Sequence, residues 1–142
     1  LLSKSKTSKV IKQQILNLNF MSSGLQNRKN SVHSNFLSSF FSAKRNYLKG
    51  IKTCNFAFFK KDCFNINGFN NNFEGWGRED SEFSIRLMNS GIKRKTLRFN
   101  AIQFHLWHKE NSRNSLKQND EIMQKTINKN LSWCENGINN YL

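Results

Sequence analysis

The chain has 142 residues, which suits one domain of ordinary size and leaves little room for a second. Apolar residues make up 37% of the sequence and 13 residues are Phe, so a modest core can be buried, and collagen-like, coiled-coil and fully disordered classes are excluded. The net charge is +14, and residues 1–61 hold 12 Lys and Arg with no acid before Asp62. This predicts a partner that carries phosphate: nucleic acid, anionic lipid head groups or the diphosphate of a sugar nucleotide.

Signals for targeting and for disulfides are sparse. No apolar run approaches the ~20 residues that a membrane-spanning helix needs, and the sequence shows no basic n-region followed by an apolar h-region. Because the sequence starts at Leu1 and not at Met, we expect a fragment of a longer protein. Cys54, Cys63 and Cys134 show no Cys-x-x-Cys spacing, which predicts reduced thiols and a cytoplasmic location. The basic N-terminal segment makes the inner face of the cytoplasmic membrane a candidate contact surface.

The N-terminal third has the apolar spacing of helices. Two stripes repeat at intervals of three and four residues: Ile11, Ile15 and Leu18, then Phe36, Leu37, Phe40 and Phe41. Breaks are expected at residues 22–24 and 49–50, so that residues 1–49 form a helical basic segment and residues 50–142 one structural unit. Such stripes mostly face a core, and the alternative is an amphipathic helix that lies on a membrane surface.

The pattern changes from residue 51 onward to short runs typical of strands. The run of residues 52–59 contains three Phe and has no charge between Lys52 and Lys60, and residues 64–69 end in an Asn67-Gly68 turn. Residues 96–107 alternate apolar and polar side chains, which predicts a third strand.

Two further helices are predicted in this part. One opens near Glu79, has acids in its first turn, places Phe83 and Leu87 on its apolar face, and is followed by Gly91. The other covers residues 120–134, where apolar residues return to helical spacing.

The segment that carries chemistry is FEGWGREDSEF, residues 73–83. Its two glycines on either side of Trp76 let the backbone approach a ligand, while the indole offers a flat apolar face on which a sugar ring can stack. Glu79 and Asp80 follow at once, in the first turn of the predicted helix, where a carboxylate can accept a proton from a hydroxyl nucleophile. The alternative is that these acids only cap the helix.

A second candidate site is His105-Leu106-Trp107-His108. Two His residues at i, i+3 can share a divalent metal if the chain turns there, whereas on an ideal strand they point to opposite faces. We therefore expect the imidazoles to converge at a strand end near the Asp80 helix. The alternatives are one packed and one exposed His, or a structural zinc site with Cys54 and Cys63, whose spacings match no common zinc finger.

In combination these motifs are recognisable. Asn67-Gly68-Phe69, Gly75-Trp76-Gly77, Glu79-Asp80 and the two His occur in this order, and together they are far more specific than any one of them. From about Gly50 to Arg113 the chain closely resembles the C-terminal part of GT-A fold glycosyltransferases. The part that the chain resembles is the galactosyltransferase C-terminal domain of bacterial family 2 enzymes, which is related to animal β-1,4-galactosyltransferases. The resemblance implies an α/β fold of α+β character, the acceptor-side half of a GT-A fold, with N-terminal helices followed by short strands and helices.

The resemblance also implies a reaction: inverting transfer of a sugar from a nucleotide-sugar donor to a hydroxyl of a glycan or lipid-linked acceptor, in polysaccharide biosynthesis. Asp80 corresponds to the general base and Glu79 to an acceptor-binding acid. Gly75, Trp76 and Gly77 would line the groove between donor and acceptor.

The donor side of the implied site is less complete. The backbone around Cys54 and Asn55 would approach the donor sugar. His108, with His105 as a second ligand, would bind a divalent metal that bridges the diphosphate, Mn²⁺ or in its place Mg²⁺.

Two departures from the family pattern bear on function. The sequence has no Asp-x-Asp motif, which anchors metal and nucleotide in these enzymes, and Arg78 stands where animal relatives carry Gly. The chain is therefore expected to be an acceptor-side fragment, competent only when joined to a nucleotide-binding half, and to have no specific nucleic-acid partner. Two alternatives stay open: a basic nucleic-acid-binding module, suggested by the charge and by the aromatics of residues 36–61, and a non-catalytic sugar-binding remnant.

Overall fold

A computed structural model describes residues 1–13, 18–19, 21–44, 46–48, 51 and 55–142. The architecture is mixed and rich in helices, with β1 and β2 forming a two-stranded antiparallel sheet. Its elements in chain order are α1 (Lys4–Ile11), α2 (Asn35–Phe41), β1 (Ala43–Lys44), α3 (Lys60–Asn65), α4 (Glu79–Asn89), β2 (Lys95–Thr96) and α5 (Leu116–Asn128). Within these described ranges, no helix combines the length and apolarity needed to cross a bilayer.

The chain divides into two compact units, each made of two segments. Unit 1 comprises residues 1–43 and 95–110, and unit 2 comprises residues 44–94 and 111–142. The division after residue 49 that the sequence suggests stays a prediction about domain organisation.

In unit 1 the segment after β2 packs against the N-terminal residues. The buried Leu2 donates its N–H to the carbonyl of His105 at 2.9 Å, and the buried Thr7 on α1 accepts a hydrogen bond from the Trp107 N–H at 2.8 Å through its Oγ1. The same segment reaches α2, where the carbonyl of Phe99 accepts from the N–H of Ser34, the N-cap residue, at 2.8 Å. These hydrogen bonds give residues 99–107 a fixed course without a sheet.

The helix predicted from Phe36, Leu37, Phe40 and Phe41 exists as α2, whereas the stripe of Ile11, Ile15 and Leu18 lies on no described helix, because α1 ends at Ile11 and Leu18 is not helical. Helix α1 ends at Ile11, which is 67% exposed, and Ile15 lies outside the described residues. On α2, Phe36 and Phe40 are 72% and 71% exposed, because Leu37 and Ser38 on the opposite side are the residues that turn inward. The core-facing interpretation is therefore wrong for these side chains.

Unit 2 has the core that the sequence predicts around Phe83 and Leu87 of α4. Both residues are buried together with Ile66, and the ring of Phe69 stacks on Phe83 with centroids 4.2 Å apart. Helix α4 begins at Glu79 and ends with Ser90 as C-cap, after which Gly91 adopts a φ of 90°, as predicted.

A buried ion pair inside this core escaped the sequence analysis. Arg86 and Glu82 are 0% and 1% exposed, and the Arg86 Nε donates to Glu82 Oε1 at 2.8 Å. The remaining guanidinium nitrogens donate to the carbonyls of Ile66 and Gly68 at 2.6 and 2.7 Å, and Thr126 on α5 donates to the same Glu82 oxygen. The pair thus joins α4 to the turn at residues 66–68 and to α5.

Two predicted strands are wrong, and the one predicted over residues 52–59 shows no strand in its described part, residues 55–59. Residues 60–65 form helix α3, which ends in a turn where the Gly68 N–H donates to the Cys63 carbonyl, so only the predicted Asn67-Gly68 turn is correct. After β2, the chain has left-handed φ values at Phe99 and Ala101, 59° and 50°, which interrupt the predicted strand over residues 96–107.

The last predicted helix exists but is displaced along the sequence. Helix α5 covers residues 116–128 instead of 120–134, because Asn130, with a φ of 50°, ends it in a left-handed turn.

Candidate functional site

The loop that precedes α4 turns sharply within a few residues. Gly75 and Gly77 have φ values of 66° and 106°, and Arg78, the N-cap residue of α4, has a φ of 79°. The left-handed region is easy for glycine and costs other residues roughly 1–2 kcal/mol. The backbone at position 78 therefore favours Gly, and the chain carries an arginine there.

This loop is fastened to the start of α5. The buried Asn119 donates from Nδ2 to the carbonyl oxygens of Glu74 and Gly77, at 2.9 Å each, and so spans the loop with one amide group. A Cβ added at Gly75 would lie 3.0 Å from the Ser115 Oγ, and one added at Gly77 would lie 3.1 Å from a Leu116 methyl. Both glycines are needed for the loop to lie this close to α5.

Arg78 adds an ion pair to the same junction. Its Nε donates to Asp120 Oδ1 on α5, and each of the two side chains is about 40% exposed. From the sequence, Arg78 is only a departure from the family pattern. In the structure its side chain is a second tie between the loop and α5.

The candidate acids stand where the sequence placed them, in the first turn of α4. One oxygen of each carboxylate, Glu79 Oε2 and Asp80 Oδ1, is buried, although both residues remain partly accessible as a whole. Glu79 Oε2 accepts no hydrogen bond from the described residues. Buried carboxylate oxygens are normally hydrogen-bonded, so this oxygen is suited to accept from water or from a ligand hydroxyl.

Trp76 is 41% exposed, and one face of its indole is already occupied. The Arg113 guanidinium lies 4.9 Å from the ring centroid, which is a cation–π contact. Because Arg113 comes just before α5, this is a third contact between the loop and the start of α5. The rest of the indole stays accessible to a ligand.

The two His side chains of unit 1 converge. Their Nε2 atoms lie 3.0 Å apart, and both residues are exposed. His108 Nδ1 donates to the carbonyl of Lys109 at 2.9 Å, because a carbonyl can only accept, so Nε2 of His108 carries the lone pair and accepts a hydrogen bond from Nε2 of His105.

This geometry fits a shared metal ion. Two ligands at roughly 2.1 Å from an octahedral ion stand about 3 Å apart when they occupy adjacent positions. Across the described ranges, no three His, Cys, Asp or Glu side chains gather at metal-binding distances. The metal role of His105 and His108 stays a prediction that rests on two ligands.

Two predicted site residues remain, Asn55 and Cys54. Asn55 is exposed, and Cys54 lies outside the described residues.

Cys63 and Cys134 are free thiols, and burial raises the pKa of both above the ordinary value. The nearby Arg86 charge partly offsets this effect. Neither thiol has the lowered pKa of a nucleophile.

Asn119 and Arg113 were missed by the sequence analysis. Both lie more than thirty residues after the motif that they support, and an Asn on a helix or an Arg in a basic chain gives no signal of its own.

Comparison with known proteins gives one match. The sequence model of a family described as N-terminal domain of galactosyltransferase matches residues 33–109, which is more than half of the chain. The matched range contains the loop, both acids of α4 and both His residues. No curated protein and no solved structure matches the chain.

Proposed function

This chain belongs to the galactosyltransferase family, and from that premise we propose that it supplies the acceptor-binding and catalytic-base half of an inverting glycosyltransferase. The donor is a nucleotide sugar, and the acceptor is a hydroxyl of a glycan or lipid-linked glycan. A bacterial enzyme of family 2, with a GT-A fold and a cytoplasmic role in polysaccharide biosynthesis, is the finer form of this proposal, and it rests on the order of the motifs in residues 67–108.

The observation that carries the proposal is the first turn of α4. Glu79 and Asp80 each have one buried carboxylate oxygen, and they directly follow a loop that Asn119 fastens at both ends. Fixed acids beside a partly exposed Trp76 are what a sugar site needs: oxygens that accept from hydroxyls and a flat apolar face.

In the proposed reaction Asp80 is the general base. It takes the proton of the acceptor hydroxyl as that oxygen forms a bond to the anomeric carbon, while the bond from this carbon to the diphosphate oxygen breaks. The electron pair leaves with the nucleoside diphosphate, and the anomeric configuration inverts because there is one displacement. Glu79 holds a second acceptor hydroxyl and orients the nucleophile.

We assign the metal of the proposed enzyme to His108 and His105, with Mn²⁺ or Mg²⁺ as the ion. When bound, such an ion neutralises charge on the leaving diphosphate. The Lys109 carbonyl contributes by holding His108 in the tautomer that presents Nε2.

The test is a transferase assay on the complete protein that contains this chain, with nucleotide sugars and glycan acceptors. Asp80→Asn keeps the volume of the side chain but cannot take a proton, so kcat should fall by about a hundredfold or more while the midpoint of unfolding and donor binding stay the same. The matched control is Asp62→Asn, another first-turn acid in unit 2, on α3, which should retain full activity.

Glu79→Gln separates acceptor binding from chemistry. Because Glu79 is proposed to bind the acceptor, this variant should raise KM for the acceptor more than it lowers kcat. Full activity of Asp80→Asn would refute the general-base role. Sugar binding by the complete protein without turnover of any donor would favour the sugar-binding remnant instead.

A further inference from the structure

Helix α2 of unit 1 carries a pair of strongly exposed rings. Phe36 and Phe40, one helical turn apart, are 72% and 71% exposed, and their ring centroids lie 5.1 Å apart at an interplanar angle of 58°. We define them as the α2 aromatic pair. Leaving two large rings in water is costly, and such a pair on a surface typically marks a contact with a partner.

The rest of α2 holds this pair rigidly in place. The Ser34 Oγ caps the helix by accepting from the Leu37 N–H at 3.2 Å, and Ser38 is buried. Phe41 contacts the ring of Phe99 edge-on, with centroids 5.6 Å apart. The helix itself, NFLSSFF, carries no charge. The α2 aromatic pair is therefore a fixed apolar projection.

Unit 1, which contains α2, is strongly cationic. Unit 1 contains a single acid, Glu110, against nine basic residues: Lys4, Lys6, Lys9, Lys12, Arg28, Lys29, Lys95, Arg98 and Lys109. Three of these lie next to α2 through the backbone or along the chain. The Arg98 N–H donates to the Oγ of Ser42, the C-cap residue of α2, and Arg28 and Lys29 lie in a short 3₁₀ turn a few residues before α2. Arg98, Arg28 and Lys29 are all exposed.

We propose that unit 1 docks on an anionic lipid surface, with the α2 aromatic pair inserted between head groups and the surrounding Lys and Arg residues on the lipid phosphates. Apolar insertion and charge attraction are the two contributions that hold a peripheral protein on a membrane, and one alone is weak. The shape of the pair favours lipid over nucleic acid. Because the rings lean on each other at 58°, they form one apolar projection and not two open faces between which bases can stack.

Co-sedimentation of the 142-residue chain with vesicles tests this. Binding is measured to phosphatidylcholine vesicles with and without phosphatidylglycerol, at about 0.1 M and about 1 M NaCl, where screening differs strongly. Binding should require phosphatidylglycerol and should fall at the higher salt concentration. Equal binding to both kinds of vesicle, or none to either, overturns the proposal.

Variants then separate the two contributions. The double variant Phe36→Ser/Phe40→Ser should lower the partition coefficient by about tenfold or more, because two rings no longer leave water. Phe36→Trp/Phe40→Trp should retain binding. The control is Phe59→Ser, a ring of unit 2 that is 79% exposed and should have no effect. Since the substituted rings are already exposed, the midpoint of thermal unfolding should stay unchanged and show that the variants fold.

The contribution of charge is tested with two double variants, each of which removes two positive charges. Lys95→Gln/Arg98→Gln should weaken binding by about tenfold, whereas Lys125→Gln/Lys129→Gln in unit 2 removes the same charge and should change it by less than about twofold. Equal effects would mean that net charge alone drives binding, and would overturn the proposal. Displacement of the chain from vesicles by single-stranded nucleic acid that binds through the α2 aromatic pair would also overturn the proposal. Dimerisation through that pair without vesicle binding is the third overturning result.

Discussion

The Asn119 side chain on α5 donates a hydrogen bond to the carbonyl of Gly77, at 2.9 Å, and the same Nδ2 atom donates to the carbonyl of Glu74 at the same distance. One amide group therefore holds both ends of the loop that carries Trp76. The start of α4, with Glu79 and Asp80, follows this loop directly. The orientation of the candidate acids thus depends on a residue that lies outside the motif.

Asn119→Ala should lower the free energy of unfolding by about 1–3 kcal/mol, because two carbonyl oxygens lose their donor in a buried place. Urea unfolding of the chain measures this, and Gln118→Ala, an exposed position on the same helix, is the control. Asn119→Asp should be at least as destabilising, since its oxygens face the two carbonyls. An Asn119→Ala variant as stable as its Gln118→Ala control would show that the loop is held by other contacts.

The chain offers a comparison between a buried and an exposed ion pair. Glu82→Gln leaves the guanidinium of Arg86 in the core without its carboxylate, and breaking a buried pair costs about 3–5 kcal/mol. Asp120→Asn breaks the exposed pair with Arg78 and should cost at most about 1 kcal/mol, since solvent screens it. Denaturant unfolding of both variants checks the contrast. Equal losses would mean that Arg86 keeps its place through the carbonyls of Ile66 and Gly68 alone.

The sequence predicted those parts of the fold that rest on local patterns. Helix α4 was found because its first-turn acids, its Phe83–Leu87 spacing and the following Gly91 all indicate the same helix. The prediction of a strand over residues 96–107 was wrong because an alternating pattern shows which side chains turn inward. It does not show whether a partner strand is present. Ile102 and Phe104 are half-buried and Gln103 and His105 exposed, as alternation predicts, yet the left-handed φ of Phe99 and Ala101 prevents a continuous strand.

The candidate site divides in the same way. Glu79, Asp80 and Trp76 were found because their residue types carry chemistry and lie within five positions of one another. Asn119, Arg113 and Arg86 act through contacts with residues 18 to 45 positions away, and no pattern in the local sequence predicts such contacts. The exposure of Phe36 and Phe40 could not be predicted either, because a stripe of Phe looks alike whether it faces a core or a lipid surface.

The buried thiol of Cys134 predicts how stability depends on pH. Burial raises the pKa of Cys134 in the folded chain, so the unfolded chain releases its thiol proton first as the pH rises. This contribution to stability is fully present below the ordinary thiol pKa of about 8.5 and is lost as the pH climbs through the folded value. Cys134→Ala lacks the group, so its free energy of unfolding should fall less steeply above about pH 8.5. Urea titrations at a series of pH values measure both curves, and parallel curves would contradict the prediction.

The pair of His residues predicts weak but specific metal binding by the chain alone. His105 and His108 present two nitrogens 3.0 Å apart, and the rest of an octahedral shell would be water, so Mn²⁺ should bind far more weakly than in a site that adds carboxylates. His108→Ala should raise the Mn²⁺ dissociation constant by at least about tenfold, since loss of even an outer-shell partner has that effect at a metal site. Electron paramagnetic resonance of free Mn²⁺ follows the titration, with His33→Ala, an exposed His elsewhere in unit 1, as the control. If both variants bind Mn²⁺ like the unmodified chain, the convergence of the two rings is a contact between imidazoles and the metal assignment fails.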